Sequence, residues 1–353
     1  MRIECNHLPF VLLMGVCSAV VCCGGDNPTC ATIQGCLDQI VESASTRSYE
    51  AQVRAQEWLL AQPPEMVVPA VLRALAENPG FQRPGARVVA YRILTGLRAA
   101  QDAETVKRII SDVNAPDPAV QAACISALAL ASSDEGARVA TALIPLLSDA
   151  KADPYVKQKA LETLARVGRS ATDALPIVES LFQDESADEQ IRWAAAWAMM
   201  SVGGLPYAIE QFQHLDATGL KVVLWALPRH IVEHGDRKRY VDDPKFEEAR
   251  NRAVAIVHEG LASENLDIRK GAFEALLPVY GPRVVTVVDG RAAWNPRVEE
   301  ALRHMAATEP DEGLRSRAEG VLEQYDPQRL AERIERIRQR GAERQDENVP
   351  DKK

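Results

Sequence analysis

A short pattern recurs along this chain at a nearly constant interval. A small or apolar residue is followed four positions later by another, and usually by Leu or Met four positions after that. It reads Ala51-Ala55-Leu59, Ala86-Ala90-Leu94, Val120-Cys124-Leu128, Val156-Ala160-Leu164 and Ile191-Ala195-Met199, then Ile268-Ala272-Leu276 and Leu314-Ala318-Leu322. The first residues of the first five copies lie 35, 34, 36 and 35 positions apart. Positions 0, +4 and +8 share one face of an α-helix. Each copy therefore encodes a helix with a buried stripe and, at its middle, a residue that lets a neighbouring helix come close. A period in the thirties predicts stacked helical pairs, in which each unit packs only on its neighbours. The expected fold class is all-α: a right-handed α-solenoid of about seven to eight helical pairs.

The flanking residues support the same reading. Several units open with an acid, as in Asp117-Pro118, Asp153-Pro154 and Asp188, and Asp as N-cap with Pro at the first helical position is a start signal. A basic residue often stands one position into the stripe, at Arg87, Lys157, Arg192, Lys221, Arg269 and Arg315. Second helices are expected at residues 66–75, 105–110, 137–147 and 174–182, with Pro145 deep enough to kink its helix. Leu220-Leu224-Pro228 places Pro where Leu belongs, which predicts a break near Leu227. Ile268 follows Leu220 by 48 residues and Leu314 follows Ile268 by 46. That surplus is expected as insertions at 229–244 and 280–296, where a solenoid carries loops on one face, and the β-branched run 283–290 suits a short strand.

The string Asp-x-x-Val-Lys-x-x-Ala-x-x-x-Leu, then Ala-Leu-Pro with an apolar helix and a closing Asp, runs from Asp153 to Asp184 and is similar to the HEAT-repeat family. Residues 117–149 and 188–212 are close to it, and the resemblance extends over roughly 48–325. It implies a structural ladder between adjacent units, with Asp153 and Lys157, and Asp188 and Arg192, as rungs. It is nearly silent on function.

The N-terminus reads differently. Leu8 to Cys23 is an apolar run, too short for a membrane span and of the length of a signal-peptide core. Val20-Val21-Cys22-Cys23 before Gly-Gly-Asp resembles the lipobox of bacterial lipoproteins, in which the last Cys is acylated; that Cys would be Cys23, with Cys22 standing where Gly or Ala is usual. A plain cleaved signal, an uncleaved anchor and a cytosolic protein with a misread start are the other readings. The expected organisation is a signal peptide over 1–23, a polar tether over 24–46, the solenoid over 47–326, a capping helix over 327–341 and a disordered polar tail over 342–353. Cys30 and Cys36 survive cleavage and are candidates for a small disulfide loop in an oxidising compartment.

Function is less legible. A formal charge of −9 opposes a nucleic-acid partner, whose footprint should be basic. No Gly-rich phosphate loop, Gly-x-Ser-x-Gly elbow or His-Glu-x-x-His occurs, so neither catalysis nor a cofactor is expected. His230 and His234, one helical turn apart, with Asp236 nearby, form the only metal-ligand spacing that stands out. Trp193 lies off the buried stripe, and Arg229, His230, Tyr240 and Trp294 fall in the two expected insertions. These five are the candidate contacts for a protein partner. The leading expectation is a non-catalytic interaction module, exported and tethered to a membrane through its N-terminus. The alternatives are an enzyme on a HEAT-like scaffold, of the bilin lyase or helical DNA glycosylase type, and a metal-binding regulatory protein of the envelope.

Overall fold

A computed structural model of the chain describes residues 30–46, 48–100, 102–212, 215–234, 244–281, 284–288 and 291–324. In chain order the helices are α1 (Ile33–Thr46), α2 (Tyr49–Leu60), α3 (Pro64–Glu77), α4 (Pro84–Gly96), α5 (Ala103–Ile110), α6 (Pro118–Leu128), α7 (Gly136–Ser148) and α8 (Pro154–Val167). They continue as α9 (Leu175–Gln183), α10 (Glu189–Val202), α11 (Leu205–Gln211), α12 (Ala217–His234), α13 (Pro244–Leu261) and α14 (Leu266–Tyr280). A hairpin of β1 (Val285–Val288) and β2 (Arg291–Trp294) then precedes α15 (Pro296–Thr308) and α16 (Glu312–Gln324).

The start signals act as the sequence suggests. Asp117 and Asp153 each accept hydrogen bonds from two backbone N–H groups of the first turn that follows, and Asp188 accepts from Gln190 N at 2.8 Å. Asn265 and Asn295 do the same for α14 and α15. Each such cap satisfies a donor that the helix itself leaves unpaired.

The even-numbered helices form one layer, in which α4 lies on α6, α6 on α8, α8 on α10, α10 on α12 and α12 on α14. The odd-numbered helices form the second layer, with α1 on α3, α5 on α7, α7 on α9 and α11 on α13. The result is an all-α solenoid. Its core is the stripe: at +4 in the even helices, Ala55, Ala90, Cys124, Ala160, Ala195, Leu224, Ala272 and Ala318 are all 0% exposed. Six of these eight are Ala, which is what allows backbones to approach so closely.

Several expectations are corrected. Residues 33–46, expected within a polar tether, form α1, and Leu37 and Ile40 are buried in the core against α2, α3 and α4. Its stripe, Cys36-Leu37, Ile40 and Ser43, is short and ends on a polar residue, so the sequence shows only an isolated apolar patch. Cys30 and Cys36 are joined by a disulfide that closes a small loop at the start of this helix. Pro228 does not break α12, which runs through it to His234. The missing N–H and ring clash cost about 3 kcal/mol in an isolated helix. Burial of Leu224, Ala226 and Leu227 around the Pro offsets that cost. Of the first surplus, residues 229–234 continue α12 and Pro244 opens α13, while 235–243 lie outside the described residues. In the second, Val285 pairs with Trp294 in the antiparallel hairpin. The signal peptide at 1–23, the capping helix at 327–341 and the tail at 342–353 lie outside the described residues.

The ladder also has a different wiring. Asp153 and Asp188 are spent as N-caps, and Lys157 makes no ion pair among the described residues. Arg192 reaches forward instead, to Asp216 at the entrance of α12 with N···O distances of 2.9 and 3.2 Å, while its Nε donates to Phe182 O at 3.0 Å. Arg87 likewise pairs with Asp112 ahead of it, and Arg269 holds Glu309 with two bonds of 2.9 Å. Lys221 bridges Glu189 behind it, at 2.9 Å, and Asp267 ahead, at 3.5 Å. Each basic residue thus ties its unit to an adjacent one.

Two measurements test this account. Ala195→Leu inserts three carbons where α10 meets its neighbours, and should lower the unfolding free energy by about 1–3 kcal/mol in urea titrations. Ala119→Leu, at an exposed site, should change it by less than about 0.5 kcal/mol. The second concerns acid. Arg192 hydrogen bonds hold the Asp216 carboxyl below the ordinary carboxylate range, and Arg269 does the same to Glu309. A depressed folded pKa stabilises fully above the unfolded value, near pH 4, and the contribution vanishes as pH falls through the folded value. The double variant Asp216→Asn, Glu309→Gln should therefore have a lower urea midpoint at neutral pH and a shallower loss of stability below about pH 4.

Candidate functional site

The tighter of two helical layers lies on the inside of any curve the stack adopts, so the face of the even helices is the inner one. On that face, three adjacent helices each present a pair of residues one turn apart: Glu162 and Arg166 on α8, Trp193 and Trp197 on α10, Trp225 and Arg229 on α12. The i, i+4 spacing aligns each pair on its own helix, and the side-by-side packing of α8, α10 and α12 brings Arg166, Trp193, Trp197 and Arg229 together.

Trp197 is the centre. It is fully buried, with the Arg229 guanidinium carbon 4.0 Å from its ring centroid and that of Arg166 at 5.4 Å. Arg229 also lies 5.5 Å from the Trp193 centroid, and the two indoles are 5.8 Å apart with planes inclined by 35°. Guanidinium groups on indole faces are attracted by the ring quadrupole. The stack therefore crosses all three helices, and each cation is held by an aromatic surface. The Trp197 Nε1 has no hydrogen-bond partner although it is buried. Trp225 is 38% exposed and lies across Gly271 of α14, where an added Cβ would stand 3.1 Å from its Nε1. Glu162, the one acid of the set, is neutralised by Lys159 at 2.8 Å and hydrogen-bonded by Gln158 at 2.9 Å.

The residues singled out from the sequence fare unevenly. Trp193 is half-buried on this face and Arg229 joins it. His230 is buried, with Nδ1 3.3 Å from Ser201 Oγ at the contact of α12 with α10. Trp294 is 6% exposed, so it anchors the hairpin to the core and offers no free surface for a partner. Cys23, Asp236 and Tyr240, and the side chain of His234, lie outside the described residues. No group of three His, Cys, Asp or Glu side chains able to hold a metal occurs among the described residues. Arg166 and Trp225 were not anticipated. The signal for both was the repeat of charged or aromatic residues at i, i+4 away from the stripe.

Elsewhere, Arg250, Asn251, Val254, Tyr280, Asn295, Pro296 and Arg297 line a cavity of about 380 Å³ beside the hairpin. Arg250 is committed there to the carbonyls of Val279 and Tyr280, at 2.8 and 2.6 Å. His258 Nε2 is 3.0 Å from Tyr280 Oη. Burial, then the nearby Arg297, holds that imidazole below its ordinary range.

Residues 140–226 match the family model of HEAT repeats. The matched segment runs from within α7 into α12 and contains Arg166, Trp193, Trp197 and Trp225. No curated protein matches the chain. A crystal structure of an engineered protein is similar over 69% of this chain and 96% of its own, with 17% identity and a TM-score of 0.35. A likeness that loose carries no argument.

Because Trp197 is fully enclosed, Trp197→Ala should cost about 3–5 kcal/mol of stability. Trp197→Phe keeps an aromatic face for both arginines and removes a donor that has no acceptor, and should cost less than Trp197→Ala by the same urea titration.

Proposed function

We propose that this chain is a non-catalytic protein-interaction scaffold. In this reading it is exported, held at a membrane face by acylation of Cys23, and binds a protein partner on the even-helix face of its solenoid. The match to HEAT repeats supports the scaffold reading, because arrays of this kind offer a long continuous surface instead of a single cleft. The observation that carries the choice of face is the arginine–tryptophan stack, with Trp193 half-buried and Trp225 partly exposed beside it. Trp and Arg are the side chains that most often anchor protein interfaces.

Two features support export. The Cys30–Cys36 disulfide suits an oxidising compartment. The apolar run that ends at Cys23 suits a secretory signal. No helix among the described residues is long and apolar enough to cross a membrane. An acyl chain on Cys23 would place the array on a membrane surface, and stable anchoring takes two such chains or one chain and a second signal.

The test uses the full-length protein expressed in its own cells. Fractionation should find it with membranes, and mass spectrometry should find a mature N-terminus beginning at acylated Cys23; Cys23→Ala should move it to the soluble fraction. Crosslinked pull-down should retain one protein partner reproducibly, and Trp225→Ala, replacing an interfacial Trp, should weaken its retention by about tenfold or more. Absence of any partner that Trp225→Ala weakens would sink the proposed face.

A further inference from the structure

The chain as a whole is acidic, yet its charge is unevenly placed. Helices α4, α6, α8, α10 and α12 carry eight Lys and Arg (two on α4, three on α8, one on α10, two on α12) against three Glu. Within these five helices basic side chains outnumber acidic ones, in a molecule of formal charge −9. Several of these cations are committed: Arg87 to Asp112, Lys159 to Glu162, Arg192 to Asp216, and Lys221 to Glu189 and Asp267.

Arg166 is different. It is exposed, its guanidinium stands over Trp197, and it makes no hydrogen bond or ion pair among the described residues. At 5.4 Å from the ring centroid the guanidinium is within range of the indole quadrupole, and its N–H donors are not taken up by any acceptor among the described residues. An exposed guanidinium on α8, with the half-buried Trp193 on α10 and the partly exposed Trp225 on α12 further along the same face, matches a carboxylate followed by apolar or aromatic side chains. Glu162, one turn earlier on α8, does not serve as that carboxylate, because Lys159 and Gln158 already hold it.

We infer that the face of α8, α10 and α12 docks an acidic, extended segment of a partner protein, with a partner carboxylate on Arg166 and an apolar partner side chain against Trp193 and Trp225. This rests on the scaffold reading above and gives it a partner chemistry.

The probe is a fluorescein-labelled peptide of alternating Glu and Phe, titrated into the full-length mature protein by fluorescence anisotropy. Binding should weaken as salt rises, because the contact is between charges near the surface. Arg166→Gln and Trp225→Ala should each weaken it by about tenfold. Arg108→Gln, which removes a cation from the other layer, should leave it unchanged. Thermal melts by circular dichroism check that each variant folds. If Arg166→Gln does not fold, Arg166→Lys decides, since it keeps the charge and loses the fork, and it should still weaken binding severalfold.

Equal binding of a peptide with Gln in place of Glu would overturn the inference. So would wild-type binding by whichever Arg166 variant folds, or tighter binding of oligothymidylate than of the peptide. The two readings fail separately. A partner captured by pull-down that is lost with Trp225→Ala and unaffected by Arg166→Gln would leave the scaffold standing and remove its acidic ligand.

Discussion

The fold depends on how near two helical backbones can come. At the centre of most inner helices stands Ala, in one helix Cys and in one Leu, and at every one of these positions no surface remains. A larger side chain there would push α8, α10 and α12 apart along their whole length. The closeness has a second effect. Side chains that point out of the inner layer are brought within reach of those on the next helix, so that one Trp can be covered by arginines from both sides. The stack at Trp197 is thus a by-product of Ala160 and Ala195 being small.

Ion pairing then fixes the order of the units more than it adds stability. Arg192 is 5% exposed and its partner Asp216 is 39% exposed, so part of the pair is screened by water. What it supplies is direction. An arginine that satisfies the Phe182 carbonyl near the end of α9 and the carboxylate of the unit ahead accepts one neighbour geometry and rejects a slipped one. Lys221, held between Glu189 and Asp267, does this for three consecutive inner helices.

Much of this architecture was legible in the sequence, because a repeat states its buried positions many times over. The stripe at Val156, Ala160 and Leu164 and the cap at Asp153 could be located to the residue. The errors fell where one unit departs from the rest. The stripe of α1 contains Cys36 and Ser43 among small polar neighbours, too weak a period to separate from a linker. Pro228 was weighed by its local cost alone, whereas the burial of its neighbours decides. The site was harder. Trp193 could be marked as lying off the stripe, but its relation to Arg166 and Trp225 depends on the relative stagger of three helices. No single helix encodes that stagger.

A linear stack has a vulnerability that a globule lacks, since its terminal element has a neighbour on one side only and can peel away without disturbing the rest. Among the described residues α1 is the first element, packed on α2, α3 and α4, and the chain before it leads toward Cys23. Any force transmitted along that lead arrives first at this end. The covalent link between Cys30 and Cys36 folds the strand back on the opening turn of the helix. A pull entering at Cys30 therefore meets a bonded loop before it meets the hydrogen bonds of α1.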